Sequence, residues 1–175
     1  MTKKVWIIML ITVGFIALLS LASSHITKNT DFIYETGIRI TEDFQVIENE
    51  IFHDIPIGIA IWSSGNYIAN CTFINCVDEG IVIFGSNNII ENCVFYKCVD
   101  GIELQKSSNN KFINCRFISS SHAGVDAIMD GNNNNLFEYC IFYDNPYGCY
   151  FSSYAYNEFE NCTFLNNKID VEEGK

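Results

Sequence analysis

Glu103 and Asp126 are the two residues of this chain best placed to do chemistry. Each stands two positions after a glycine, in Gly101-Ile-Glu103 and Gly124-Val-Asp126, and Ala60, Val82 and Tyr150 fill the same slot in similar segments. If the Gly-led segments are neighbouring parallel strands, these outward positions stack with Cα atoms about 4.8 Å apart. Asp78, Glu79, Asp100 and His122 fall in the turn just before such a segment. Five carboxylates and one imidazole then share an edge. Carboxylates that close could hold Ca²⁺, or act as acid and base on a glycan. In the catalytic reading Glu103, Asp126 and Asp100 carry the chemistry, Asp78 is a further acid, base or Ca²⁺ ligand, and His122 binds beside them. The longest repeat carries its surplus residues at Met129-Asp-Gly-Asn-Asn-Asn-Asn135, where Asp130 and Asn132 are binding candidates on a loop one turn beyond Asp126. The bland alternative is a solvated acidic surface.

The eight cysteines invite a disulfide reading if the chain is exported. Their spacing argues for something else. Cys71, Cys93, Cys115, Cys140 and Cys162 form one column, while Cys76 and Cys98 begin a second that continues as Ser120, Asn145 and Asn167. Neighbours in such a column hold their Cβ atoms about 4.8 Å apart, beyond the ~3.5 to 4.5 Å of a relaxed disulfide. Cys149 takes a slot filled elsewhere by Ile or Val, so reduced thiols packed as small hydrophobes are expected. No Cys-x2-Cys pair occurs, and His25, His53 and His122 are scattered, so no metal ligand set is assigned to the thiols. Asn70-Cys-Thr72 and Asn161-Cys-Thr163 match the N-glycosylation sequon, which makes Asn70 and Asn161 candidates for modification.

The elements that must position these residues follow from a repeat. Ile68-Ala-Asn-Cys71-Thr-Phe73 recurs as Ile90-Glu-Asn-Cys93-Val-Phe95, Phe112-Ile-Asn-Cys115-Arg-Phe117, Phe137-Glu-Tyr-Cys140-Ile-Phe142 and Phe159-Glu-Asn-Cys162-Thr-Phe164, after a degenerate copy at Ile47 to Phe52. Successive Phe residues are 21, 22, 22, 25 and 22 apart. Three short apolar segments of period two, separated by turn residues, make three β-strands per repeat. The columns then assign inward Phe and Cys files, a glycine opening each third strand, and a ladder of Asn66, Asn88, Asn110, Asn135 and Asn157. A repeated turn asparagine can take left-handed geometry and bond its amide to the next coil.

This grammar resembles the right-handed parallel β-helix repeat of pectate-lyase-like proteins and of NosD-type accessory proteins linked with copper delivery. The resemblance covers about residues 37 to 175 and implies an all-β, single-stranded, right-handed parallel β-helix of about six coils. It is specific for fold and unspecific for function, because the matching positions are those any such coil needs. Polysaccharide lyases and hydrolases of this fold place acidic groups on an outer strand face, but are usually much longer, and a lyase-type site also needs a basic residue. Arg39 and Arg116 are the only arginines, Arg116 lies on another face, and Lys106 could approach Glu103. The NosD likeness keeps Cu(I) at buried thiolates in view as a metal-handling alternative.

At 175 residues the chain has room for one domain. Residues 1–24 carry Lys3 and Lys4, an apolar run from Val5 to Ala22 and then small residues, as a signal helix cleaved on export or kept as an anchor would. A linker or cap over 25–36 leads into the β-helix at 37–175. The net charge is −11, and −13 once Lys3 and Lys4 are removed, which repels phosphate backbones and excludes nucleic acid as a partner. The expected product is a secreted or envelope-anchored β-helix, touching membrane only through its N-terminal segment. Its role is binding or structural, toward a polysaccharide or cell-envelope glycan, with a small lyase or hydrolase as the alternative. No cofactor is expected beyond Ca²⁺. Slight caps leave end-to-end self-association open.

Overall fold

A computed structural model describes residues 35–127, 129–151 and 156–174, and these form a parallel β-solenoid. The apolar segment at 5–22 and most of the expected cap lie outside the described residues. Strand structure starts at Thr36, one residue earlier than the repeat suggests. Among the described residues no helix is long and apolar enough to cross a membrane.

Each coil contributes one strand to each of three sheets. The wide sheet holds seven five-residue strands: Thr36–Ile40, Ile57–Ile61, Glu79–Ile83, Asp100–Leu104, Ala123–Ala127, Tyr147–Phe151 and Ile169–Glu173. Two narrow sheets of six three-residue strands run from Val46–Glu48 to Glu158–Glu160 and from Ile51–His53 to Thr163–Leu165. Every pairing is parallel and joins like positions of successive coils, so Phe117 is flanked in register by Phe95 and Phe142. This is why columns of the sequence become files in space.

Most narrow strands bury their central residue alone, as period-two alternation requires; Tyr67–Ala69 also buries Ala69, and the last two strands only half-bury theirs. Phe73, Phe95, Phe117 and Phe142 stack with ring centroids 4.8 to 4.9 Å apart and planes within 10° of parallel. Each ring contributes roughly 1.5 to 3 kcal/mol through burial. The wide strands break alternation. Their second and third residues both turn inward, and the second is glycine because a Cβ at Gly58 would meet Phe73 Cδ1 at 2.5 Å. The first and fourth residues consequently face outward together. Glu79 and Asp100, expected in a turn, are instead the first residues of their strands.

The asparagine ladder forms, with a different division of labour. Asn66 Nδ2 donates to Asn88 Oδ1 at 2.8 Å, Asn110 Nδ2 to Asn135 Oδ1 at 3.0 Å and Asn135 Nδ2 to Asn157 Oδ1 at 3.0 Å. The ladder residues point inward. Left-handed geometry falls to the residue before them, as at Asn87, Asn109 and Asn134 with φ of 58°, 58° and 56°. The Asn of the Asn-Cys signature is a second left-handed corner, with φ of 54° at both Asn70 and Asn92, and the residue after the second narrow strand is a third, with φ of 53° at Asn75 and 57° at Lys97. Those side chains face outward, so the sequon residues Asn70 and Asn161 are both exposed.

All eight cysteines are free thiols, and seven are fully buried. Cys140 Sγ lies 3.4 Å from the Phe112 carbonyl oxygen of the preceding coil, and Cys115 Sγ lies 3.5 Å from that of Ile90. Burial pushes the thiols of Cys115 and Cys149 well up, which keeps them protonated.

Candidate functional site

The outer face of the wide sheet gathers the acidic residues because two of every five strand positions point to it. The first-position file runs Glu79, Asp100, Ala123, Tyr147, and the fourth-position file runs Val82, Glu103, Asp126, Tyr150. Glu103 and Asp126 are direct partners in register, as their spacing predicts. All four carboxylates are nonetheless sheltered, with Glu79, Asp100, Glu103 and Asp126 only 5 to 8% exposed.

His122 ends the turn before its strand and reaches across to the preceding coil. Its Nδ1 lies 2.8 Å from Asp100 Oδ1 and 3.9 Å from Asp126 Oδ2. Asp100 Oδ1 also accepts the Ala123 backbone N–H at 2.8 Å, which fixes the carboxylate between a backbone donor and the imidazole nitrogen. The rings of Tyr147 and Tyr150 stand edge-on to the imidazole, with centroids 5.7 and 5.6 Å away. Sequence reasoning missed Tyr147. Its signal was present, since Tyr147 and Tyr150 repeat the three-residue spacing of Asp100 and Glu103 one coil beyond Asp126.

Shelter without cations dominates the electrostatics. Burial and hydrogen bonds to Glu103 and Asp78 push the Glu79 carboxyl up to about 10. Burial and the nearby Asp100 charge push Asp126 up to about 7. Burial also raises Asp100, although the hydrogen bond from His122 opposes it. Burial raises Glu103 against bonds from Glu79 and Gln105. Among the described residues, the salt bridges of these carboxylates go to His122 alone. Lys106 is exposed and bridges none of them, and Arg116 sits on a narrow sheet.

The three-sheet geometry and the 22-residue register are those of one architecture. The profile described as right-handed β-helix region matches residues 16–137. The chain belongs to the right-handed β-helix family. No curated protein and no solved structure matches it.

Of the remaining residues singled out in the sequence, Asp78 joins the acidic face of this β-helix beside Glu79, whereas Asp130 and Asn132 lie on the loop after the Asp126 strand. Asn132 is buried and spends its amide internally, with Oδ1 accepting the Ser107 N–H at 2.8 Å and Nδ2 donating to the Met129 carbonyl. The loop is further tied by Ser108 Oγ, which donates to the Gly131 carbonyl at 2.6 Å. Asp130 is exposed on the same loop. Asp78 is half-buried beside Glu79. At the apolar end of the outer face, Phe84 stacks on Trp62 at 3.8 Å, over a cluster of Ile57, Ala60 and Val82.

Proposed function

We propose that the protein is an exported β-helix module of the cell envelope that binds a glycan on the outer face of its wide sheet without cleaving it. The observation that carries this is the continuous file Glu103, Asp126, Tyr150, with Tyr147 and His122 alongside. Carboxylates accept hydrogen bonds from sugar hydroxyls, and aromatic rings offer apolar surface to the carbon faces of a sugar. The apolar leader, the excess negative charge and the exposed sequon residues Asn70 and Asn161 support a location outside the cytoplasm. The test is a panel of neutral and acidic polysaccharides with the wild type and Tyr150→Ala. Binding that is lost in the variant, without release of sugar fragments, supports the module. An inert wild type across the panel overturns it.

One observation favours an enzyme as the second reading. Asp126, held up to about 7, has Glu103 as its partner in register, and a glycosidase needs one protonated and one ionised carboxyl. Glycan cleavage by the wild type that disappears in Asp126→Asn would select this reading over the first.

The last coil also supports pairing between copies. Phe159, Phe164 and Val171 pack against the core while only partly buried, on strands with no following coil among the described residues. Sedimentation would detect end-to-end dimers, and Phe164→Glu should dissolve them.

A further inference from the structure

We propose that Asp100, His122 and Asp126 form a binding site for a divalent first-row metal of the zinc class. The site stands on its own donors and does not depend on the glycan reading. Three ligand atoms, one from each residue, lie within 4.8 Å of one another. A tetrahedral centre with bonds of ~2.0 Å needs donors about 3.3 Å apart. The distances from His122 Nδ1 to Asp100 Oδ1 and Asp126 Oδ2, 2.8 and 3.9 Å, bracket that value. The three donors span up to 4.8 Å, so the Asp126 carboxylate must swing toward the other two to close the site.

A second, independent feature points to a cation. Asp126 is 5% exposed, yet its Oδ1 is buried without a hydrogen-bond partner. A sheltered carboxylate oxygen left unsatisfied is costly, and a metal ion chelated by both oxygens of Asp126, Oδ2 from the His122 side and the orphaned Oδ1, supplies the missing partner. The backbone N–H of Ala123 donates at 2.8 Å to the same Asp100 Oδ1 that faces His122, and so fixes that oxygen in place. Two carboxylates neutralise a dication. The tyrosine rings beside His122 limit where the imidazole can turn.

The donor set sets the class of ion. Ca²⁺ takes six to eight oxygens, whereas an imidazole nitrogen with two carboxylates suits Zn²⁺ and its neighbours. Three protein ligands leave a fourth position open. The His122 side chain is 40% exposed, so that position faces solvent.

The experiment is calorimetry of the full chain with Zn²⁺ and Ca²⁺, repeated for His122→Gln, Asp126→Asn and the control His53→Gln. His53 is a fair control because it makes an exposed pair with Asp54 at 3.2 Å on a different sheet. The expected result is one Zn²⁺ per chain, Ca²⁺ at least 100-fold weaker, and roughly 10- to 100-fold loss of Zn²⁺ affinity in the two site variants only. Co²⁺ substitution should give a spectrum without a thiolate charge-transfer band, which separates this site from the cysteine files. Absence of Zn²⁺ binding, retention in both site variants, a thiolate band, or equal affinity for Ca²⁺ would each overturn the assignment. Thermal melts of the variants establish that they are folded before binding is compared.

Discussion

A methyl group on Gly101 would sit 2.7 Å from Phe117 Cδ1 and 2.5 Å from the Gly124 carbonyl oxygen, so glycine and ring divide one space between them. Phe117 is fully buried between Phe95 and Phe142. Phe117→Ala should therefore lose about 3 to 5 kcal/mol, and Gly101→Ala about 1 to 3 kcal/mol. The double variant should cost less than the two losses combined, because the new methyl enters space vacated by the ring. It still meets the Gly124 carbonyl, so Gly101→Ala should stay unfavourable in the Phe117→Ala background. Denaturant melts of all four proteins check this, and strict additivity would sink the shared-space account.

The ladder gives a position-dependent prediction. Asn110 Oδ1 accepts both the Asn88 backbone N–H at 2.9 Å and its Nδ2 at 3.2 Å, and all of these groups are buried. Asn110→Ala orphans the backbone N–H and leaves Asn88 Nδ2 only its 3.4 Å bond to the Ser63 carbonyl, and should cost about 2 to 4 kcal/mol. Asn157 makes the equivalent bonds to Asn135 but is only half-buried, so water can replace it. Asn157→Ala should cost clearly less. Equal losses would mean that burial does not control the ladder.

Tyr139 marks a corner where the repeat is not at its optimum. Its φ is 55°, and Asn114 and Asn161 hold the same corner in flanking coils at 50° and 53°. Left-handed geometry costs an ordinary L-residue roughly 1 to 2 kcal/mol, and Asn less. Tyr139 is 59% exposed, so little packing is lost on replacing it. Tyr139→Asn should stabilise by about 0.5 to 1 kcal/mol, raising Tm by roughly 2 to 4 °C per kcal/mol. A lower Tm would refute it.

How much of this was legible in the sequence depended on whether a residue lies on a file or on a bend. Parallel in-register stacking carries a 22-residue column directly into space, so the Phe and Cys files, the Asn ladder and the Glu103–Asp126 pair were all readable. The wide strand departs from period two at its glycine, where two successive residues turn inward. A reading by alternation therefore put Glu79 and Asp100 in a turn, and placed the left-handed residue one position late. The bond from His122 to Asp100 crosses between coils and between turn and strand, so no column contains both. Asn132 looked available on an inserted loop, but its buried place opposite Ser107 follows from the ladder corner that the loop extends.

The carboxylates of the outer face predict an unusual pH dependence. Glu79 is 7% exposed, its Oε2 has no hydrogen-bond partner, and burial with Glu103 and Asp78 alongside pushes its carboxyl up to about 10. Asp100, its partner in register, is raised by burial as well, and so is Glu103. An unfolded Glu titrates near ~4.3, so from there up to about 10 the folded chain holds a proton that the unfolded chain has released. Stability is then fully present in acid and falls as pH rises, by up to ~1.4 kcal/mol per pH unit for one such group. The metal-free protein should melt several degrees higher at pH 5 than at pH 8, the reverse of a protein whose carboxylates are salt-bridged. Glu79→Gln should raise the melting temperature at pH 8 and flatten the slope, because the neutral amide needs no proton to be buried. A wild-type Tm that is level or rising from pH 5 to pH 8, or a slope unchanged in Glu79→Gln, would show that Glu79 is ionised in the fold.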